Sequence, residues 1–249
     1  MTLPLTTQLA QPSGAALRPA EHPDLSGLLT HFCDRSRPQR NAHPAILAMP
    51  AHQRLESILW ESQLKGFTTY SGGHPAVCFT EATESGLGFL VGRRAYHPWG
   101  LVFSRQSVYD AGGGPVWYAR PEEYWSLRNL CYSGAASSSL QSWAVRLEPV
   151  SSDWLEEREW RIPLAPAPEA ALPLHALRLE ALLVGDPGWS PSRLLWGISP
   201  ATGAPGWAPF LPGILAGVPR LWWNWADGRL YPLPPLLPPL GGWPAPLSA

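Results

Sequence analysis

The chain has 249 residues, of which 45% are hydrophobic and 15% are charged, and its formal net charge is -1. This hydrophobic content is enough for a sizeable core and argues against wholesale disorder, while the near-neutral charge argues against nucleic-acid binding through the overall field. Thirty prolines and 14 tryptophans predict a loop-rich chain with short strands and few long helices.

The sequence predicts a cytoplasmic protein without a membrane span. Its three cysteines show no CxxC or zinc spacing, so a disulfide framework is not expected and a reducing compartment is favoured. Residues 1–20 lack the basic and apolar regions of a signal peptide. The longest uncharged apolar stretch in the second half, residues 194–219, contains four interior prolines, which a spanning helix does not tolerate.

The first predicted elements follow a polar, proline-bearing lead-in at residues 1–24. The apolar segment Leu25–Cys33 is predicted to be a strand or a short helix that carries His31. Apolar residues at helical spacing in Pro50–Lys65 predict the main helix of the chain, with Gly66 as its C-cap.

Most of the remaining predicted elements are short strands bounded by glycine and proline. A small helix or lid is expected within residues 86–96, and Gly112–Gly114 is expected to form a tight turn. The predicted strands are Pro75–Glu81, Trp99–Ser104, Pro115–Ala119, Trp143–Pro149, Glu159–Leu164 and Leu179–Val184.

The composition changes near Pro163. Beyond it charges become sparse, prolines cluster, and half of the tryptophans occur. We therefore expect a lead-in at residues 1–24, an α+β domain at residues 25–164, and an irregular Trp/Pro-rich extension at residues 165–249. The extension either wraps over the domain or forms a polyproline-like strap for a partner.

Three short segments carry side chains that could do chemistry: His31 at the end of its apolar run, Val77–Glu81, and residues 156–161 (EEREWR). In an extended strand Glu157 and Glu159 would share one face, and their repulsion would either raise the pKa of one carboxyl or require a cationic partner such as Arg161. Each segment also has a structural interpretation: a packed histidine, a strand end with solvated polar groups, and a charged strand edge.

Together the segments resemble a known group of proteins. The stretch from His31 to Pro163 resembles bacterial abortive-infection proteins of the AbiGi type and related uncharacterised domains. The resemblance lies in Val77–Glu81 (VCFTE), Tyr96–Ser104 (YHPWGLVFS), Gly112–Tyr118 (GGGPVWY) and Glu157–Arg161 (EREWR).

The order of these segments is also similar to that of ADP-ribosyltransferases of the DarT and diphtheria-toxin-like kind. The resemblance implies that His31, Thr80 and Glu159 occupy the family's three site positions, with NAD as the substrate. Glu159 would stabilise the oxocarbenium-like state on the nicotinamide ribose, because that state develops positive charge. His31 would hold the adenosine side, and Thr80 would support His31 or the ribose.

The remaining expected contacts concern the acceptor and the NAD ends. Glu157 would activate the acceptor nucleophile, and Tyr70 or Tyr96 would form a wall for nicotinamide. Arg35 belongs to a basic cluster, with Arg37 and Arg40, that either binds phosphate or forms a solvated loop.

The predicted fold is α+β, with a split, mostly antiparallel sheet, one main helix and an ADP-ribosyltransferase-like arrangement. One functional hypothesis is an ADP-ribosyltransferase of a phage-defence or toxin–antitoxin system, which acts on a protein or nucleic-acid acceptor. The alternative is a non-catalytic interaction protein of the antitoxin type, which binds its cognate partner through the Trp/Pro-rich surface. No metal is expected, because the nearby His and Cys pairs, such as His74 and Cys78, lack a matching second half.

Overall fold

The structure is a computed structural model that describes residues 26–34, 44–93, 96–150, 153–198, 205–209 and 212–236. The predicted lead-in at residues 1–24 and the basic cluster containing Arg35 lie outside these residues. Six α-helices occur in the described ranges: α1 Pro44–Leu47, α2 Ala51–Glu61, α3 Glu84–Arg93, α4 Arg105–Asp110, α5 Pro121–Tyr132 and α6 Ser138–Gln141.

Strands make up most of the remaining regular structure. They are β1 Leu28–Phe32, β2 Gln63–Lys65, β3 Ala76–Thr80, β4 Gly100–Ser104, β5 Gly114–Pro115, β6 Trp117–Ala119, β7 Ala144–Arg146, β8 Glu159–Pro163, β9 Ala171–Pro173, β10 Leu179–Val184, β11 Leu194–Ile198, β12 Pro205–Pro209, β13 Arg220–Asn224 and β14 Arg229–Leu233.

Eight of the strands form one sheet in the order β14-β13-β10-β4-β1-β3-β8-β5. All neighbours are antiparallel except β10 and β13, which are parallel. The expectation of a mixed fold with a mostly antiparallel sheet is confirmed, and the sheet is large, with eight strands.

The sheet continues beyond the boundary expected at residue 164. Strands β10, β13 and β14 all come from the C-terminal third, and β10 lies between β13 and β4. Leu182 and Leu183 of β10 are fully buried. The described C-terminal residues are therefore not wholly irregular, because short apolar runs between the prolines pair with the sheet.

The predicted main helix is shorter than expected, and two helices of similar length accompany it. Helix α2 ends at Glu61, where Ser62 takes the left-handed conformation (φ 53°), so Gly66 is not its C-cap. The next residues form β2, because Leu64 is fully buried opposite Leu172 of β9. Helices α3 and α5, with 10 and 12 residues, match α2 in length.

The segment predicted as a single strand at Pro115–Ala119 is instead two. Strand β5 joins the main sheet beside β8, whereas β6 pairs with β7 in a separate two-stranded sheet. The chain therefore changes its neighbouring strand at Val116, from β8 to β7.

The main sheet has two covered faces. We call one the α2 face, because Leu29, Phe79 and Phe103 pack there with Leu55 and Leu59 of α2. We call the other the α3 face. It carries Val102, Leu183, Leu221 and Phe32, and α3 packs there through Leu87 and Leu90. Since side chains alternate along a strand, each residue of β1, β3 or β8 belongs to one face only.

Candidate functional site

The strand register decides which predicted site residues meet. Strands β1, β3 and β8 lie side by side, and Thr80 is directly opposite Glu159. Both alternate with residues of the α2 face, so their side chains lie on the α3 face. His31 has the opposite parity, because it follows Thr30, the register partner of Thr80. The structure therefore brings Thr80 and Glu159 together and places His31 on the other side of the sheet.

Arg161 binds the carboxylate of Glu159 through two hydrogen bonds. Its Nε and Nη2 donate to Oε1 and Oε2 at 2.8 and 2.9 Å. Only 4% of the Arg161 side chain and 14% of the Glu159 side chain are exposed. Bidentate geometry of this kind is the strongest form of an arginine–carboxylate pair. The cationic partner predicted for Glu159 is confirmed as Arg161.

The rest of the Arg161 guanidinium is also bound. Its Nη1 donates to Ser71 Oγ at 3.1 Å and to the Ser142 carbonyl at 2.6 Å. Burial lowers the pKa of Arg161, but the charge of Glu159 outweighs that effect and holds the pKa above its ordinary value. The cation is thus fully neutralised and connects β8 to the segments before β3 and after α6.

Tyr118 closes this polar cluster beside Glu159. Its hydroxyl accepts a hydrogen bond from the Glu159 N–H at 2.9 Å and donates to the Trp154 carbonyl at 3.3 Å. Burial raises the pKa of Tyr118 to about 12, an effect that the Glu159 N–H opposes. The phenol is therefore neutral at physiological pH, and its hydroxyl connects the Glu159 N–H to the Trp154 carbonyl.

Glu157 lies before β8 and not on it, which corrects the prediction that the two carboxylates alternate along one strand. It ends a short 3-10 helix, Leu155–Glu157, and Arg158 then takes the left-handed conformation (φ 43°) before β8 begins. The Glu157 side chain is buried, and its backbone carbonyl accepts a hydrogen bond from the Thr80 hydroxyl. This turn breaks the strand alternation on which the predicted pairing depended.

His31 packs among aromatic residues on the α2 face. Its Nδ1 lies 2.8 Å from the Cys78 carbonyl, and its ring meets Phe79 edge-on with centroids 5.9 Å apart. A carbonyl can only accept, so Nδ1 carries the proton. Burial lowers the pKa of His31, against the opposing effect of that hydrogen bond.

The two tyrosines predicted to line a nicotinamide pocket have different surroundings. Tyr96 contacts Phe32 with the rings tilted and their centroids 4.8 Å apart, and it packs beside α3. Tyr70 is largely exposed in the loop before β3. Tyr96 therefore lies on the α3 face, as Thr80 and Glu159 do, and the role of either tyrosine as a nicotinamide wall stays a prediction.

Comparisons with known proteins give no relative for this chain. No family model, curated protein or solved structure matches it. The resemblance to AbiGi-type proteins and to ADP-ribosyltransferases therefore stays a prediction.

Within the described ranges no cluster of three or more His, Cys, Asp or Glu could hold a metal ion, and no helix there is long and apolar enough to cross a membrane.

A second polar cluster, which was not predicted from the sequence, lies on the α2 face. Glu81, directly after β3, accepts a hydrogen bond from Arg105 Nη1 at 2.7 Å and another from Trp160 Nε1 at 2.9 Å. Beside it is an open depression of about 340 Å³, lined by Arg105, Gln106, Tyr109 and Trp160. The sequence feature that points to this cluster is a carboxylate, Glu81, directly after Val77–Thr80. Nothing in the sequence indicates which cation it binds.

Proposed function

We propose that this chain is a non-catalytic binding protein. The observation that supports the proposal is that both carboxylate oxygens of Glu159 already accept hydrogen bonds from buried Arg161. A carboxylate that stabilises a ribosyl transition state must face the reacting sugar. Turning Glu159 toward a substrate would leave the Arg161 charge buried without its partner, which costs several kcal/mol.

The position of His31 supports the same proposal. It lies on the opposite face of the sheet from Thr80 and Glu159, with the β1 and β3 backbones between them. A single NAD molecule could not contact all three side chains without passing through the sheet. In this proposal these residues stabilise the fold.

The hairpin β13–β14 supplies the binding surface in this proposal. Trp225 in its turn is 61% exposed, and Tyr231 on the end strand of the sheet is 39% exposed. Trp222 lies beside Tyr231, with the two rings tilted by 40° and their centroids 5.8 Å apart. Exposed Trp and Tyr side chains are the residues most often found at the energetic centre of protein interfaces.

The partner is a protein with a largely apolar contact surface. Pro232 removes one N–H from the outer strand β14, which disfavours the addition of a partner strand. Recognition would therefore depend on side chains. The turn carries one acid, Asp227, whose Oδ2 is already hydrogen-bonded to the Tyr231 hydroxyl, so the surface offers aromatic contacts and little net charge.

Co-expression with the products of the adjacent genes tests this proposal. We expect one of these proteins to co-purify as a stoichiometric complex. Trp225→Ser and Tyr231→Ser should each weaken its affinity about tenfold or more, as expected for central aromatic contacts. Trp117→Ser is the matched control, because Trp117 is 50% exposed but lies on β6, outside the hairpin. Unchanged affinity in both hairpin variants would contradict the proposal.

A second candidate function is the NAD-dependent ADP-ribosyl transfer implied by the resemblance. The specific observation in its favour is that β1, β3 and β8 are neighbours, with Thr80 opposite Glu159. Incubation of the wild-type protein with labelled NAD and cell extract separates the two functions. We expect neither NAD turnover nor label transfer. Turnover by the wild type that is lost in folded Glu159→Gln would replace the binding proposal with the catalytic one.

A further inference from the structure

The depression beside Arg105 has the chemistry of a small-ligand site. We propose that it binds the carboxylate of a small ligand with a planar apolar body, such as an aryl carboxylate. This site is separate from the β13–β14 hairpin, and the inference does not depend on the proposed function.

The guanidinium of Arg105 is held in place by a buried acceptor. Glu81 is only 8% exposed, and it binds Arg105 Nη1 at 2.7 Å through Oε1. Its Oε2 is fixed by the indole N–H of Trp160 at 2.9 Å. Because both oxygens are bound, Glu81 sets the orientation of the guanidinium before any ligand arrives, which lowers the entropic cost of binding.

The donors of Arg105 are mostly unused. A guanidinium has five N–H groups, and only the contact to Glu81 is made by Arg105 side-chain nitrogens within the described part of the chain. The side chain is 33% exposed and lines the depression. The edge of the guanidinium that does not face Glu81 can therefore donate two parallel hydrogen bonds to a carboxylate, the geometry that arginine favours.

The remaining lining residues suit an apolar ligand body. Tyr109 presents an exposed phenol ring, and Trp160 forms the inner wall. Gln106 is oriented by a 2.8 Å hydrogen bond from its Nε2 to Asp110 Oδ1. A flat ring attached to the carboxylate could lie against Tyr109 while the carboxylate meets Arg105.

The carboxylates around the depression disfavour a doubly charged ligand. Arg105 is already paired with Glu81, and Asp110 lies beside Gln106. A dianionic phosphate would meet more repulsion from these two carboxylates than a monoanion does. The expected ligand class is therefore a monocarboxylate rather than a phosphate ester.

Isothermal titration with benzoate, and with benzamide as its neutral isostere, tests the inference on the full chain. We expect saturable benzoate binding, and about tenfold weaker binding of benzamide and of benzoate to Arg105→Lys, which keeps the charge but loses the planar fork. Arg120→Lys is the control, because Arg120 is 80% exposed outside the depression and should bind benzoate as the wild type does.

Tyr109→Ala provides a second variant that is not expected to disturb folding, because Tyr109 is 63% exposed. It should weaken benzoate binding several-fold through the loss of the apolar wall. Equal affinity for benzoate and benzamide, unchanged binding in both Arg105→Lys and Tyr109→Ala, or no saturable binding at millimolar benzoate would overturn the inference.

Discussion

Arg161 holds both carboxylate oxygens of Glu159, its neighbour two positions earlier on β8, at 2.8 and 2.9 Å. Both side chains lie on the α3 face, near Ser71 and Ser142 from segments distant in sequence. This pair fixes three parts of the chain to one another. Its contribution is to hold a particular arrangement, since a buried ion pair adds little net stability over apolar residues of the same size.

The first prediction concerns Glu159→Gln. The substitution removes the charge that neutralises buried Arg161, and we expect it to lower the free energy of unfolding by on the order of 3 kcal/mol. Urea denaturation measures the change. The double variant Glu159→Leu/Arg161→Met should recover part of the loss, because no uncompensated charge then remains.

The matched control for Glu159→Gln is Glu148→Gln. Glu148 and Arg146 form an exposed pair 3.9 Å apart. Exposed pairs contribute little, so this variant should change the free energy of unfolding by less than about 1 kcal/mol. Equal effects of the two glutamine substitutions would show that the bidentate pair has no special role.

The central strands could be predicted from the sequence because their signals are local. The short apolar run after Pro75 predicts β3 as a buried strand, and the i, i+2 spacing of Glu159 and Arg161 places both on one face of β8. Apolar Leu179–Val184 likewise predicts β10 within its observed bounds. Each element depends on its own residues more than on its partners.

Other features depend on contacts between distant segments, which one sequence does not reveal. Helix α2 ends four residues before Lys65 because Leu64 pairs with β9, more than a hundred residues later. The face on which His31 lies follows from its register with β3. Helix α5 is a different case, because it was not predicted although its signal is local. Pro121 followed by Glu122 and Glu123 is typical of a first helical turn.

The second prediction compares two glycines with positive φ. A Cβ on Gly73 (φ +79°) would lie 2.7 Å from the Ser142 backbone nitrogen and 2.8 Å from the Ser138 carbonyl oxygen, whereas one on Gly134 (φ +75°) would meet nothing within 4 Å. Gly134→Ala should cost about 1 kcal/mol through backbone strain alone. Gly73→Ala should cost clearly more, because backbone atoms must move.

Thermal unfolding of the two glycine variants measures this difference. A larger loss in Gly73→Ala would indicate that the loop before β3 packs tightly against the α6 end, where Ser142 Oγ accepts the His74 N–H at 2.7 Å. Equal losses would mean that the loop can withdraw from α6 without cost, contrary to the structure.

The third prediction concerns acid sensitivity at His31. Burial lowers its pKa in the folded state, so the unfolded chain binds a proton more readily, and stability falls as pH drops through the unfolded value of about 6.5. His31→Asn removes the titrating ring but keeps a donor for the Cys78 carbonyl. The difference in unfolding free energy between pH 7.5 and 5.5 should therefore be smaller in the variant than in the wild type.

The fourth prediction concerns Tyr118, whose pKa is raised to about 12 in the folded state. An unfolded tyrosine ionises near pH 10, so the contribution of Tyr118 to stability is complete below about pH 10 and is lost as pH rises toward 12. Tyr118→Phe should flatten this alkaline loss. At neutral pH the substitution should lower the free energy of unfolding by about 1–2 kcal/mol, because the Glu159 N–H loses its acceptor.

The control is Tyr109→Phe, which removes an exposed hydroxyl and should hardly change the free energy of unfolding measured by urea denaturation. A Tyr118→Phe variant with wild-type stability at neutral pH and the wild-type alkaline loss would show that this hydroxyl does not support the Glu159–Arg161 cluster.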